Sequence, residues 1–236
     1  MTATFNDFIN TCKQRQQELD QELWAFHYSH ISDIEFWKLL KAKAEAIMMQ
    51  RGIKSAFIVD QYNKDIIRQL YYYLTGDVRN CRWNVHKGIY LMGKVGCGKS
   101  LLMYSYLSVQ DYLTRKITET IHAKQLIELL QSEGGITGLR ERPLFIDELG
   151  RENLEMKDYG NVVKPVIDLF AIRYEYGGRT YATSNFTLDT LEAARDVKGK
   201  ITAQRYGNFI RTRMDEMFNV VELPGENRRL KWGNNG

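Results

Sequence analysis

Apolar residues in the first third of the chain recur at helical spacing. They return every three or four positions in the stretches 5–12, 34–44 and 63–74, which predicts amphipathic helices. Thr75-Gly76-Asp77 ends the third stretch with a glycine of the kind that closes helices. Since no strand pattern occurs here, we predict a small all-helical region over residues 1–80.

After Asn84 the pattern changes to short apolar runs that alternate with helical segments. This alternation is typical of a parallel sheet flanked by helices. The predicted strands are Gly88–Met92, Glu119–His122, Leu144–Asp147, Thr180–Ser184 and Asn219–Leu223, and the predicted helices lie near 99–113, 123–132, 162–176 and 202–214. We therefore predict an α/β domain over residues 81–236.

Composition places the chain among ordinary globular proteins. Its 236 residues suffice for one sizeable domain and a smaller appendage, and 44% of them are hydrophobic and 26% charged. The formal charge of +4 permits nucleic-acid contact without establishing it. Cys12, Cys81 and Cys97 form no CxxC pair, so neither a disulfide framework nor a zinc site is predicted.

The amino-terminal segment carries no targeting signal of a recognised kind. MTATFNDFINTCKQRQQ has neither a basic start nor the apolar core of a signal peptide. No stretch approaches the ~18 apolar residues that a spanning helix needs. We expect a cytoplasmic protein that does not enter a membrane.

Residues 93–100, GKVGCGKS, match the phosphate-binding pattern GxxxxGK[ST] between a predicted strand and a predicted helix. Glycines allow consecutive backbone N–H groups to face phosphates, and the helix amino terminus adds partial positive charge. Lys99 is expected to reach the β- and γ-phosphates, and the Ser100 hydroxyl is a candidate magnesium ligand. Cys97 is interpreted as a small residue that fills the loop, with a redox-sensing thiol as the alternative. The predicted nucleotide-binding residues are Gly93, Lys94, Val95, Gly96, Cys97, Gly98, Lys99, Ser100 and Leu101.

Residues 142–150, RPLFIDELG, form an apolar run that ends in two acids. In open α/β sheets the carboxyl ends of the strands are where ligands bind. We predict that Asp147 holds the magnesium shell and that Glu148 positions and polarises the attacking water. The alternative is an acidic pair in a surface turn.

Asn185 follows the predicted strand Thr180–Ser184. Its amide is a candidate to orient the attacking water beside the γ-phosphate. Asn185 and Thr187 are equally suited to cap a helix near Leu188–Ala194. The residues alone leave both interpretations open.

Four segments in succession, GIYLMGKVGCGKS, LFIDELG, IRYEYGGRTYATSN and RTRMDEMFNVVELPGENRR, carry a family resemblance. Over residues 86–230 the chain resembles the AAA+ ATPases of the DnaC-type helicase-loader and IstB-type transposition-helper family. The first two segments mark P-loop NTPases in general, whereas the order and spacing of the last two are more specific. The resemblance implies an AAA+ fold, ATP and Mg²⁺ as ligands, and hydrolysis of ATP, and it favours the catalytic interpretation of Asn185.

The resemblance also implies an oligomer in which subunits share ATP sites. Arg213 matches the arginine that family members present to a neighbour's ATP, and Arg211 is the competing choice. A planar, permanently charged guanidinium suits this role because it stabilises charge on phosphoryl oxygens. Arg229 matches the sensor 2-like arginine, with Arg228 beside it, and Arg173 matches a family arginine of uncertain role.

The leading functional hypothesis is a replicative helicase loader in DNA replication, which would hold the helicase through residues 1–80 and contact DNA, single-stranded rather than duplex. A transposition helper that wraps duplex DNA and recruits a transposase is the alternative. A nucleotide-gated adaptor with little turnover is the second alternative. Two departures from the family stand out: residues 124–142 leave little room for the DNA-binding helix of loaders, and the amino-terminal region lacks the cysteine cluster of some loaders.

Overall fold

The computed structural model describes residues 5–126, 128, 135–152, 154–158, 161–195 and 198–228. Within these ranges the helices are α1 (Phe5–Trp24), α2 (Asp33–Gln50), α3 (Lys64–Thr75), α4 (Lys99–Thr114), α5 (Gly135–Leu139), α6 (Pro165–Tyr176), α7 (Leu188–Glu192) and α8 (Gly207–Met217). The strands are β1 (Gly88–Met92), β2 (Glu119–His122), β3 (Leu144–Leu149), β4 (Met156–Asp158), β5 (Asn161–Val163), β6 (Thr180–Ser184), β7 (Ala193–Arg195), β8 (Ile201–Gln204) and β9 (Phe218–Glu222). A short 3₁₀ turn covers Ala123–Gln125.

A parallel sheet of five strands, in the order β2-β3-β6-β1-β9, forms the centre of the described structure. Strand β6 lies between β1 and β3, although it follows both in the chain. The carboxyl ends of β1, β6 and β3 therefore lie side by side at one edge of the sheet. These findings confirm the predicted α/β class, and the predicted strands agree with the observed ones to within about two residues.

Helices cover both faces of the sheet because successive strand residues point to opposite sides. Ile89 and Leu91 of β1 pack with α2, α3 and α4, whereas Tyr90 between them packs with α6, α7 and α8. Burial on both faces explains why β1 and the first half of β3 are continuous apolar runs and not alternating ones. The helices α2 and α3 share the first of these cores with the sheet. The core is thus continuous across residue 80, and the division into regions 1–80 and 81–236 stays a prediction.

One predicted helix is wrong at its start. The prediction for 202–214 covers a segment in which Ile201–Gln204 forms β8, antiparallel to β7, and α8 begins only at Gly207. Helical spacing of apolar residues does not reveal a partner strand, so the short β-ribbon was missed.

The helix predicted over 162–176 also begins later, at Pro165, because Asn161–Val163 pairs with β4. Proline is favourable at a first helical position, where its missing N–H would have had no partner. The helix predicted over 123–132 is a 3₁₀ turn in its first part, and most of the remainder lies outside the described residues.

Helix α1 differs from the other long helices because none of its residues is buried. An aromatic cluster fixes the segment at its carboxyl end. The Trp24 ring lies 5.1 Å from His27 and 5.0 Å from His86, measured between centroids. His27 Nδ1 lies 2.9 Å from the Tyr73 carbonyl oxygen, and the buried Arg179 donates to that residue's hydroxyl at 2.6 Å.

None of the helices in the described part of the chain combines the length and apolar character needed to span a bilayer.

We expect acidification to weaken the folded state through the histidines of this cluster. Burial, together with repulsion from Arg179, lowers the pKa of His27 from 6.5 to about 4 and also lowers that of His86. As the pH falls below about 6.5, His27 becomes protonated in the unfolded chain but stays neutral in the folded chain. The free energy of unfolding therefore decreases toward pH 4. Urea unfolding should show that the free energy of unfolding is about 1–2 kcal/mol lower at pH 5 than at pH 7, a figure that is reduced for solvent screening of the half-buried groups.

His27→Gln should reduce this pH dependence, since glutamine does not titrate. His30→Gln is the control, because His30 is exposed and its replacement should leave the pH dependence as it is in the wild type. Equal pH dependence in the two variants would contradict the assignment.

Candidate nucleotide site

The loop between β1 and α4 has the glycine conformations that the phosphate-binding pattern requires. Gly96 has a φ of 80°, and a Cβ at this position would lie 2.0 Å from the Asn227 side-chain oxygen. Any other residue would therefore strain the backbone and collide with the segment that covers the loop. Helix α4 begins at Lys99, directly after the loop, so its amino terminus faces the same space.

Lys99 lies inside the loop with 6% of its surface exposed. Its Nζ donates to the carbonyl oxygens of Gly93 at 2.9 Å and Lys94 at 2.8 Å, and to Oδ1 of Asn185 at 2.8 Å. Burial lowers the pKa of Lys99, because desolvation disfavours the charged form. Three oxygen acceptors match the three donors of an ammonium group, and phosphate oxygens could replace them.

Ser100 and Asp147 meet across the gap between α4 and β3. The Ser100 hydroxyl donates to Asp147 Oδ1 at 2.7 Å, and the Thr183 hydroxyl donates to the same oxygen. A hydroxyl and a carboxylate oxygen are donor types that Mg²⁺ prefers, and the ion keeps several waters besides. The two predicted magnesium ligands are thus adjacent and chemically suited to the ion. Thr183, which sequence reasoning missed, orients the carboxylate.

A bulge in β3 brings both acids to this edge. Ile146 pairs with Ala182 and Leu149 with Ser184, so that Asp147 and Glu148 together oppose Thr183 alone. Consecutive residues of a regular strand point to opposite faces, whereas a bulge redirects a side chain. Glu148 has a φ of 61°, which costs a non-glycine residue roughly 1 kcal/mol, and its side chain lines the same cleft as Lys99.

Two side chains that sequence analysis did not single out hold the Glu148 carboxylate. His122 Nε2 lies 3.2 Å from Glu148 Oε2, and Arg151 Nη1 donates to the same oxygen at 2.8 Å. His122 is the last residue of β2, and β2 lies next to β3 at the same sheet edge. The sequence did show a polar residue, His122, at the end of a predicted strand. Its contact with Glu148 could not be predicted without knowing that β2 and β3 are neighbours in the sheet.

Asn185 contacts the phosphate loop and does not cap a helix. Its side chain accepts the hydrogen bond from Lys99. The cap of α7 is Thr187, whose hydroxyl accepts from the Thr190 N–H at 3.2 Å. The capping interpretation of Asn185 is therefore wrong, and its position beside Lys99 follows from the location of β6 between β1 and β3.

The carboxyl-terminal segment also lies against the loop. Arg229 falls outside the described residues, whereas Arg228 is described. Its N–H donates to the Gly96 carbonyl and its Nε to the Cys97 carbonyl, both at 2.9 Å. The Arg228 guanidinium also pairs with Asp60 at 2.8 Å. Arg228 is thus placed to link the loop to the segment that contains Asp60.

An apolar cavity of about 310 Å³ adjoins the loop on this side. Its walls include Phe57, Ile58 and Leu223, with Asp60 and Arg228 as polar groups. A mainly apolar cleft with a few polar groups is typical of sites that bind flat organic rings, so the cavity is suited to a nucleotide base. Sequence analysis missed it because residues 55–63 have neither helical nor strand spacing. The buried Cys97 lines the cavity wall, and its interpretation as a small residue that fills the loop stays a prediction.

The two candidate arginines of α8 contact residues of their own chain at a different place. The Arg213 guanidinium lies 3.5 Å from the Phe209 ring centroid and 5.2 Å from that of Tyr174. Arg211 pairs with Asp189 at 3.1 Å. Within the described residues, the hydrogen bonds and ion pairs of these two arginines do not reach the phosphate loop of their own chain, and the choice between them stays a prediction.

Arg173, the arginine of uncertain role, is fully buried. It donates to the Thr180 hydroxyl at 2.9 Å and to the carbonyl oxygens of Arg142 and Arg179 at 3.0 and 2.8 Å. Burial lowers its pKa to about 10. Its contacts fix the starts of β3 and β6, at the sheet edge opposite the phosphate loop.

Solved structures are similar to this chain in fold. A putative primosome component from Streptococcus pyogenes serotype M3 is 20% identical, with 73% of this chain and 85% of that chain covered and a TM-score of 0.51. The fold is that of an AAA+ P-loop NTPase. A structure of DnaI is 19% identical over 75% of this chain and 89% of that one, with a TM-score of 0.49. The DnaC helicase loader is 17% identical over 72% and 95%, also with a TM-score of 0.49.

No protein-family model matches the sequence, and no curated protein matches it. At 20% identity, the likeness to the structure with a TM-score of 0.51 shows the fold alone, and this fold agrees with the predicted AAA+ architecture.

Removing the Lys99 ammonium should weaken ATP binding. Hydrogen bonds to charged groups contribute about 1.5–3 kcal/mol each, so Lys99→Ala should raise the Kd for ATP by about 10- to 100-fold. Lys116→Ala is the control, because Lys116 is exposed just before β2, at the other end of the sheet. Calorimetric titration with ATP and Mg²⁺ measures both variants, and an unchanged Kd in Lys99→Ala would contradict the assignment of the loop.

Proposed function

We propose that this protein hydrolyses ATP and acts as a replicative helicase loader. The observation that carries the ATPase part is the contact between Ser100 and Asp147, because it joins the phosphate loop to the acidic strand end. A glycine-rich turn that matched the pattern by chance would not be expected to bring its serine hydroxyl into contact with the carboxylate at the end of another strand.

The loop N–H groups and Lys99 bind the phosphates of ATP and hold the γ-phosphate at the carboxyl edge of the sheet. Ser100 and Asp147 would hold Mg²⁺, which would supply positive charge to neutralise the phosphate oxygens. Asn185 orients a water molecule, and Glu148 accepts a proton from it as the water oxygen attacks the γ-phosphorus. The bond between the γ-phosphorus and the bridging oxygen breaks, and ADP and phosphate leave.

Arg213 completes the site from a neighbouring subunit, with Arg211 as the alternative. Because it packs on aromatic rings of its own chain, the guanidinium is held at the surface of α6 and α8 with 16% of its side chain exposed. A charge supplied in trans makes hydrolysis depend on assembly. The ATPase rate per subunit should therefore rise with protein concentration, and a constant rate would contradict a shared site.

The loader assignment rests on the amino-terminal helices and on the fold neighbour. Helix α1 exposes Phe5 by 78% and Phe8 by 63%, and exposed apolar side chains on one helix suit contact with another protein. The neighbour with a TM-score of 0.51 is described as a putative primosome component. The proposal includes a replicative helicase as partner of residues 1–80 and contact with single-stranded DNA. A transposition helper, which would bind duplex DNA, is the second candidate, since the same motifs serve both.

Replacing the catalytic carboxylate should abolish turnover and leave binding intact. General-base catalysis contributes about 10²- to 10⁴-fold, so Glu148→Gln should lower kcat by at least about 100-fold while the Kd for ATP stays within a few-fold. Glu141→Gln is the matched control, since this exposed acid precedes β3 at the opposite edge. Phosphate release measures kcat. Unchanged turnover in Glu148→Gln would favour a nucleotide-gated adaptor.

The Glu148→Gln protein held with ATP should retain its partner. We expect a pull-down from the native cell to recover a replicative helicase, and Phe5→Ala combined with Phe8→Ala to reduce the recovery. Lys13→Ala is the control, because Lys13 is an exposed polar position on the same helix. Recovery of a transposase would overturn the loader assignment and establish the transposition helper. Salt dependence of DNA binding separates the two further, because a protein that wraps duplex DNA loses affinity steeply with salt.

A further inference from the structure

The turn that follows β3 contains a buried acid to which the proposed chemistry gives no role. Glu152 is 6% exposed, and its Oε2 accepts the Gly150 N–H at 2.8 Å. Gly150 has a φ of 96°, and a Cβ there would lie 2.6 Å from the Phe186 ring. The turn is therefore tightly packed immediately after the acidic strand end, two residues from Glu148.

Two residues from just before α8 hold the same turn. Arg205 Nη2 donates to the Gly150 carbonyl at 2.7 Å, and the Tyr206 hydroxyl donates to Glu152 Oε1. Both backbone polar groups of Gly150 are thus bonded, the N–H to Glu152 and the carbonyl to Arg205. The Arg205 guanidinium also lies 5.2 Å from the centroid of Phe186, the residue after Asn185.

Residues 205 and 206 lead directly into α8, which begins at Gly207 and carries Arg211 and Arg213. Their backbone N–H groups donate to the carbonyls at the end of α7, at 3.0 Å for Arg205 and 2.9 Å for Tyr206. Since Tyr206 is itself buried, displacement of α8 would disturb the contacts of its hydroxyl. A buried carboxylate cannot lose a donor without a large cost, so the turn would follow.

We propose that Glu152, Arg205 and Tyr206, here called the Glu152 cluster, are positioning residues that couple α8 to the carboxylate of Glu148. When an arginine of α8 engages the ATP of a neighbouring subunit, the cluster transmits the resulting shift of α8 to Gly150 and adjusts Glu148 in the subunit's own site. The inference rests on the proposed ATP hydrolysis. It adds a path by which ATP bound in one subunit affects the position of Glu148 in the next subunit.

Tyr206→Phe tests the cluster, because it removes the donor hydroxyl and keeps the ring. Tyr71→Phe is the control: the Tyr71 hydroxyl donates to the Ile31 carbonyl at 3.2 Å, and the half-buried ring packs against the core on the other face of the sheet. The first measurement is hydrogen exchange in peptides that span Ile146–Glu152. We expect exchange about tenfold faster in Tyr206→Phe than in wild type or Tyr71→Phe, the factor for loss of one hydrogen bond to a charged group.

The second measurement is ATP turnover. Tyr206→Phe should lower kcat by about tenfold without changing the Kd for ATP. In Tyr206→Phe combined with Arg213→Ala, the two losses should not multiply, since both act through α8. If the cluster only stabilised the fold, Tyr206→Phe would lower the thermal stability, and the decreases in kcat caused by the two substitutions would multiply in the double variant. That result would overturn the coupling.

Unchanged exchange in peptides spanning Ile146–Glu152 would overturn the cluster by itself, even in a protein that hydrolyses ATP normally. Absence of turnover in the wild type would instead overturn the proposed function, while the exchange measurement still decides the cluster. If Tyr206→Phe does not fold, as judged by circular dichroism, Arg205→Met replaces it, because that change removes the bond to the Gly150 carbonyl. The same outcomes then apply.

Discussion

The hydrogen bonds of the Lys99 ammonium join the two segments on which the site depends. Two of its acceptors belong to the loop after β1 and the third is Asn185, just past the end of β6. A buried charge must be fully bonded, and these three oxygens match the three donors of the ammonium group. The same three donors become available to phosphate oxygens once the carbonyls are displaced. Lys99 therefore links the loop to the end of β6.

This contact requires β6 to lie between β1 and β3. In a sheet that followed the chain order, Asn185 would end up beyond the acidic strand and out of reach of Lys99. Insertion of β6 also brings Thr183 next to Asp147, where it orients the carboxylate. The bulge at Asp147 and Glu148 then turns two consecutive acids toward one edge, at the cost of an unfavourable backbone angle at Glu148. Backbone strain of this kind persists where the surrounding contacts hold it.

Much of the site could be predicted from the sequence, because its residues directly follow strands that the sequence pattern itself predicts. The apolar run that became β1 leads into the glycine-rich loop, the apolar run in β3 ends in two acids, and Asn185 directly follows β6. Lys99, Ser100, Asp147 and Asn185 were therefore identifiable as candidates. The contacts of His122, Arg151 and Thr183 were not, since they depend on which strands are neighbours. Residues 55–63 were hidden for a related reason. They approach the loop only after the chain has folded, and no spacing along the sequence marks them.

The most direct test of the account is a structure of the Glu148→Gln protein with ATP and Mg²⁺ bound. We predict ATP phosphates in the loop of residues 93–100, with Lys99 Nζ moved from the Gly93 and Lys94 carbonyls to phosphate oxygens. The base should occupy the cavity lined by Phe57 and Ile58, and Ser100 and Asp147 should face the metal. A nucleotide bound elsewhere, with Lys99 still bonded to the loop carbonyls, would contradict the central claim.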